Sequence, residues 1–492
     1  MKRTLALAVC LFGCVSSPES QSAGSEGPRN SDVDAVFGDL VGMRPGAAVG
    51  VVLDGEVVHR AGYGIADMDH GIPITPETVF DIASISKQFG AMAALLLEAQ
   101  GRLDLEEDVR AYVPELPDFG PTIVPRHLIH HTSGIRDWPH TMSLGGVEYS
   151  DVISFEKILR MLYQQRAINF PPGSEYAYSN TGYNLLARTI EVQSGMTFRT
   201  YTQEQIFAPL GMTRTHFSDD YLEIVPGRAE SYAPVGDETD GVFRRQINQL
   251  TALASSSLNT TVDDFILWMK NYETGVVGGE EILGNMLRRG VLTGGDTIDY
   301  AHGLSVGAYR GLVNFGHGGS WAGFRTNFVR FPEENLSIIV FCNFSTCNPA
   351  GRALEVAEVF LEDPMGPTPE EPDGLDDVTE SLSLSDSELR EYSGHYRSPE
   401  LDSTYEVFVE SGRLVAEHWR NPRSILSPAG DDLFRGDQRW FPEVRFVRNQ
   451  PGQVVGFTVT GGRVRDLIFD RVQYPDSSSS RDVSGLYRVF LQ

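Results

Sequence analysis

The sequence predicts an α/β fold: an antiparallel sheet packed with helices and carrying a helical lobe, followed by a small C-terminal antiparallel β-barrel. Three observations carry this. Residues 31–362 have β-branched hairpin runs at both ends with helical patterning between them. Residues 363–385 are rich in proline and acid, as in Asp363-Pro-Met-Gly-Pro-Thr-Pro-Glu-Glu-Pro372, and poor in apolar side chains. Residues 386–473 then read as closely punctuated short strands. Strands at the two ends of the first unit can meet in one sheet with helices packed on it, which is not the alternating order of a parallel fold.

Each element has a local reason. Ala47–Leu53 and Glu56–Arg60 are β-branched runs on either side of Asp54-Gly55, a hairpin turn. Ile85–Gln100 reads as a helix because Phe89, Met92, Ala93, Leu96 and Leu97 share one face and Gly101 stops it. Thr261 with Asp264 resembles a capping box opening a helix over Phe265–Tyr272. Phe324–Phe331 and Leu336–Asn343 form a second hairpin around Pro332–Asn335. The segment 363–385 is a linker, and few contacts are expected to cross it, so residues 31–362 should fold alone. Tyr405–Val409, Val454–Val459 and Arg465–Phe469 are strands of the barrel. Residues 474–492 form a tail without a readable pattern.

With 492 residues, 41% hydrophobic and 22% charged, the chain has material for two globular domains. Its formal charge is −27, which disfavours nucleic acid as a partner and suits solubility outside the cytoplasm. Residues 1–30 read as a signal and tether. Met1-Lys2-Arg3 is basic, and Leu5–Gly13 is an apolar stretch too short to span a bilayer. Leu11-Phe12-Gly13-Cys14 resembles a lipobox, which would make Cys14 a lipidated membrane tether; a simple cleavage near Ser22-Ala23 is the alternative. The expectation is a secreted protein, periplasmic or an outer-membrane lipoprotein. Cys342 lies in an apolar run and is expected to be a buried thiol rather than half of a disulfide with Cys347. No Cys/His metal cluster appears in the sequence, and no cofactor is expected.

Three motifs carry chemistry. Ser84-Ile85-Ser86-Lys87 opens a helix, and a spacing of three puts hydroxyl and amine on one face. Lysine occurs only at positions 2, 87, 157 and 270, the other cations being arginine. Unlike a guanidinium, an amine can lose its proton and activate a neighbouring hydroxyl. Tyr178-Ser179-Asn180 heads a second helix and offers a phenol for proton transfer and an amide for a substrate carbonyl. Gly316-His317-Gly318-Gly319-Ser320 precedes a strand, where glycines let a substrate lie close and a backbone N–H can complete an oxyanion hole. Taken singly, these are a capped helix, a polar turn and a glycine-rich turn.

Together, in this order, with Phe80–Phe89, Arg126–Gly134 and Phe170–Asn180 around them, they resemble the serine β-lactamase and penicillin-binding protein superfamily. The class C-like branch, with its D,D-carboxypeptidases, D-aminopeptidases and family VIII esterases, is the best match. The resemblance covers residues 33–360. It implies that Ser84 is the acylated nucleophile, Lys87 its base and Tyr178 the proton shuttle. It further implies that Asn180 binds the substrate amide, that His317 replaces the third-motif lysine, and that the Ser84 and Ser320 N–H groups form the oxyanion hole. His131, in His131-Thr-Ser-Gly134, has a structural role in that family. Leu389–Tyr396 onward resembles the lipocalin-like barrel of several such hydrolases.

The expected activity is serine hydrolysis through an acyl-enzyme on a D-amino-acid peptide, an ester or a β-lactam, with peptidase or esterase ahead of efficient β-lactamase. A near-neutral imidazole is a weak anchor for a β-lactam carboxylate. Arg325 could supply that charge if positions 317 to 325 ran as one regular strand. Because a neutral imidazole is the weak point, His317→Lys should improve cephalosporin acylation relative to ester cleavage. The competing reading is a non-catalytic cell-wall-binding or scaffold protein that retains the fold. The oligomeric state is not written in the sequence.

Overall fold

The computed structural model describes residues 28–361, 365–366 and 384–473. Cys14, most of the 363–385 linker and the 474–492 tail lie outside the described residues. The first helix, α1 (Pro28–Val36), begins inside the span assigned to signal and tether. Downstream of its start, Val33, Phe37 and Leu40 are fully buried.

Both predicted hairpins form, and they meet. The main sheet contains β1 (Ala47–Leu53), β2 (Glu56–Tyr63), β3 (Ser305–Tyr309), β4 (Leu312–Trp321), β5 (Phe324–Phe331) and β6 (Leu336–Cys342). Their order is β3-β4-β5-β6-β1-β2. β1 pairs antiparallel with β6 from Ala47↔Cys342 to Leu53↔Leu336, so the chain's early and late strands close one sheet. These two strands read as continuous apolar runs because both of their faces are covered. Val49, Val51, Ile338 and Val340 pack with Val33 of α1 and with helix α5 (Pro349–Leu361), while Ala48, Val52, Ile339 and Phe341 face the other core.

That second core holds helix α2 (Lys87–Ala99), preceded by a 3₁₀ turn over Ala83–Ser86. One buried face was expected; instead the helix is buried almost all round, Lys87 to Leu95 and Leu97 included. Helix α3 (Asn180–Ser194) packs on one side of it, and Trp268 of helix α4 (Val262–Thr274) donates to Gln88 Oε1 at 2.6 Å. Thr261 caps α4 by accepting from Asp264 N at 3.0 Å, but the cap is not a reciprocal box: the Asp264 carboxylate takes Arg214 N at 2.7 Å instead.

Cys342 is bonded to Cys347, which corrects the free-thiol expectation. β6 ends at Cys342 and the chain turns back, bringing the two Cα atoms to 6.4 Å, a separation a disulfide spans.

The C-terminal unit is an eight-stranded barrel from Gly394–Ser398 to Val464–Val472, closed by pairs such as His395↔Val472. Its strands alternate inward and outward residues, and Tyr396, Tyr405, Phe446, Phe457 and Phe469 fill the interior.

The expectation of few contacts between the two units is not met. Leu144 of the helical lobe joins the barrel core, and its carbonyl accepts from Tyr405 Oη at 3.0 Å. Arg136 and Glu400 form an ion pair of 2.7 Å that is almost wholly buried, at 1% and 3% exposure. The linker's composition describes the connection between the units, not the surfaces they share.

Candidate active site

The turn that carries Ser84 is built by its own neighbours. Asp81 Oδ1 accepts from Ala83 N at 2.8 Å and holds Ala83 at φ +48°, a conformation costly for a residue with a Cβ. Thr326 of β5 donates to the Ile82 carbonyl at 2.9 Å and ties the turn to the sheet. Gly319 completes this contact. A Cβ there would lie 2.2 Å from Ile82 O, so the glycine allows β4 to rest on the turn before Ser84. Close substrate approach, the reason offered by the sequence, is not what this position requires.

Lys87 is fully buried, with three neighbours within hydrogen-bond reach of Nζ. Asn180 Oδ1 lies at 2.8 Å, the Ser255 carbonyl at 2.7 Å and Ser84 Oγ at 3.1 Å. Burial pushes the amine well below its ordinary pKa; nearby Asp137 opposes this and Arg463 adds to it. A neutral amine has two hydrogens. Asn180 Oδ1 and Ser255 O can only accept, so they take both, and the lone pair is left facing Ser84 Oγ.

Burial raises the pKa of Tyr178 against the opposing influence of the Ser84 side chain, so the phenol stays protonated. Its ring lies 4.7 Å from Lys87 Nζ. His131, in a left-handed turn at φ +59°, accepts from Ser179 N at 3.0 Å and lies with its ring centroid 4.1 Å from that of Tyr178. It shapes the Tyr178 loop. Asn180 bridges two partners, its amide nitrogen donating to Asp137 Oδ2 at 3.1 Å and its oxygen accepting from Lys87. Asp137 also accepts from Asn180 N at 2.7 Å. Both ends of the amide expected to bind substrate are thus engaged within the protein, by Lys87 and by Asp137.

His317 is buried and neutral. Burial is the main cause that lowers its pKa to about 3. Its Nδ1 lies 2.6 Å from the Gly318 carbonyl, which can only accept, so Nδ1 carries the proton and Nε2 accepts from Tyr300 Oη at 3.1 Å. Both ring nitrogens are occupied by the protein itself.

Arg325 does not join the site. The strand that begins at Leu312 ends at Trp321, and the chain turns at Ala322-Gly323. Arg325 pairs with Ser320 across the hairpin, whereas His317 pairs with Phe328 and Gly319 with Thr326. Paired residues share a face, so Arg325 lies on the face opposite His317. Its guanidinium donates to the Phe324 and Ala322 carbonyls at 2.7 and 3.1 Å. The intervening turn breaks the alternation on which the sequence argument rested. Ser320 is exposed on β4, beyond the last β3 pair at Gly316, so among the described residues no strand covers that edge.

A cavity of about 770 Å³ opens beside this cluster, lined by Tyr176, Asp299, Tyr300, His317, Gly318 and Asn327 among others. Ser84 and Lys87 do not line it. Among the described residues no cluster of three or more His, Cys, Asp or Glu side chains is arranged to hold a metal ion.

Residues 33–359 match the family described as Beta-lactamase. The chain belongs to the β-lactamase family. Similar curated proteins include D-aminopeptidases of Gluconobacter oxydans (strain 621H), 30% identical over 301 residues, and of Brucella anthropi, 30% identical over 323 residues. These alignments cover 61% and 65% of this chain but only 56% and 59% of those relatives. Among solved structures, the octameric penicillin-binding protein homologue from Pyrococcus abyssi aligns with a TM-score of 0.59 at 22% identity, covering 89% of this chain and 98% of that one. The D-amino acid amidase from Ochrobactrum anthropi SV3 aligns at 0.58 and 24% identity, covering 69% and 100%. The latter two likenesses concern the fold.

Within this β-lactamase-family site, sequence reasoning missed Asp137, Ser255, Tyr300 and Arg463. Asp137 had a faint signal: Arg136-Asp137 is a charged pair set between Ile135 and Trp138, just after the Arg126–Gly134 motif. Ser255 acts through its carbonyl, which no side-chain pattern reports. Arg463 had no signal, because Gly461-Gly462-Arg463 reads as an ordinary turn.

Proposed function

We propose that this protein is a serine hydrolase that cleaves amides of D-amino acids or their peptides through an acyl-enzyme on Ser84. One observation carries the reading: the buried Lys87 amine lies 3.1 Å from Ser84 Oγ, with Asn180 Oδ1 and the Ser255 carbonyl, two oxygens that can only accept, at 2.8 and 2.7 Å. Lys87 takes the Ser84 proton as Oγ attacks the carbonyl carbon. The Ser84 and Ser320 N–H groups receive the developing oxyanion. As the C–N bond breaks, Tyr178 passes a proton to the leaving amine and is reprotonated from Lys87. Water then splits the ester, giving the acid and free Ser84. The similarity to D-aminopeptidases and the fold shared with a D-amino acid amidase favour amide substrates.

Efficient β-lactam turnover is disfavoured because His317 is neutral with both nitrogens engaged, and Arg325 faces away. Esters remain substrates, since they need only the same acyl transfer. A non-catalytic scaffold is the weaker reading, because burying Lys87 costs stability that a binding protein has no reason to sacrifice. Secretion is part of the proposal, with Cys14 as a lipid tether; the Cys342–Cys347 disulfide supports an oxidising compartment. The test is fluorophosphonate labelling, with turnover measured on D-amino-acid p-nitroanilides, p-nitrophenyl esters and a chromogenic cephalosporin. Labelling at Ser84 with D-anilide turnover above cephalosporin turnover is expected; absence of labelling and of all turnover would overturn the reading.

A further inference from the structure

The turn between the last two barrel strands, Val454–Gly461 and Val464–Val472, reaches into the hydrolase domain. Its backbone is fastened there: the Arg463 carbonyl accepts from Asn169 Nδ2 at 3.1 Å and from Asp137 N at 3.3 Å, and Arg465 N donates to Asn169 Oδ1 at 2.9 Å. Gly462, at φ +58°, permits the approach, since a Cβ would lie 2.5 Å from His140 Nε2. None of these contacts uses the Arg463 side chain. That side chain makes two others. Nη1 donates to Asp137 Oδ2 at 2.8 Å, and the guanidinium carbon lies 4.5 Å over the Tyr178 ring.

We propose that Arg463, contributed by the barrel, is a positioning residue of the hydrolase site, acting on Lys87 through Asp137 and Asn180. The path is continuous: Arg463 to Asp137 at 2.8 Å, Asp137 to the Asn180 amide at 3.1 Å, Asn180 Oδ1 to Lys87 at 2.8 Å. Asp137 is fully buried and Arg463 is 40% exposed, so the arginine is the group that balances a carboxylate water cannot reach. The other titratable groups around Lys87 are uncharged. Burial keeps His131 and His317 deprotonated and Tyr178 and Tyr183 protonated. Asp137 and Arg463 are therefore the charges that act on the amine, in opposite directions. Without Arg463, the Asp137 carboxylate would draw a proton onto Lys87 and loosen the amide that orients it. The barrel would thus be part of the active site's construction, beyond any role in access or assembly.

This inference rests on the acyl-enzyme reading, and the full-length protein tests the two separately. Wild type is assayed first, for kcat/KM on a D-amino-acid p-nitroanilide against pH; an inactive wild type fails the functional reading itself. In Arg463→Ala the acid limb of that profile should move to higher pH, with about tenfold lost on the limb for each unit of movement. Arg463→Lys should keep the limb near wild type. If Arg463→Ala lowers activity equally at every pH, or leaves it within about twofold with an unmoved limb, the inference is overturned. Should Arg463→Ala not fold, Asp137→Asn and the Asp137→Asn, Arg463→Ala pair are compared, since neither leaves a buried carboxylate unpaired. With the carboxylate gone, loss of Arg463 should change the limb by less than about half a unit, and a larger change overturns the path through Asp137.

Discussion

Lys87→Met should separate what the buried amine costs the fold from what it does in catalysis. The variant removes the donor to the part-buried Asn180 Oδ1 and to the buried Ser255 O, whose loss of a partner costs about 1–3 kcal/mol at any pH. It also removes a titration. Burial depresses the folded-state pKa of Lys87 well below its ordinary 10.5, so between those two values the unfolded chain carries a proton that the folded protein does not. Wild-type stability therefore rises with pH through that window, by ~1.4 kcal/mol per unit, and the methionine variant lacks this contribution. Across two pH units inside the window, the stability difference should move by ~2.7 kcal/mol in favour of wild type. Urea denaturation of both proteins as pH is lowered in steps from just under 10.5 measures it, with Ser84→Ala as a control that keeps the lysine. A difference that is constant with pH, or that moves in favour of the variant, would mean that Lys87 is charged in the folded protein and is not the base.

Ser84→Ala should abolish covalent labelling and turnover with its melting temperature close to wild type; a labelled variant would place the nucleophile elsewhere. Arg136→Ala leaves Glu400 buried without its partner and should cost about 3–5 kcal/mol in urea denaturation, while Arg136→Met with Glu400→Leu should recover most of it. Cleaving the chain in the linker should for the same reason give a hydrolase domain of lower melting temperature than the intact protein. His127, His130, His302, His317 and His418 have pKa values lowered by burial to about 4, 4, 3, 3 and 4. Below their ordinary value of 6.5 the unfolded chain takes up protons first, so stability should fall by up to ~1.4 kcal/mol per pH unit for each histidine as pH drops, a slope that denaturation at pH 7 and about 5 would detect. His317→Lys should lose stability and bring no gain in cephalosporin acylation, because an ammonium cannot accept from Tyr300; improved acylation by a stable variant would refute that geometry.

What the sequence determined by itself was local. Apolar runs beside an Asp-Gly turn make a hairpin wherever they lie, and a spacing of three puts Ser84 and Lys87 on one helical face, so these elements and a small antiparallel barrel were legible before any contact was known; its eight strands were not. The resemblance of the three motifs added the family. Tertiary structure decided whatever depends on which face of an element meets which neighbour. A turn at Ala322-Gly323 sends Arg325 to the far side of the sheet, since a hairpin resets the alternation that a single strand would continue. The return of the chain after β6 joins Cys342 to Cys347. Asn180 holds Lys87 because Asp137 fixes its other end, and Asp137 is balanced by an arginine 326 positions away in another domain. Electrostatic coupling depends on distance through space and on burial, and neither is encoded in the spacing of residues along a chain.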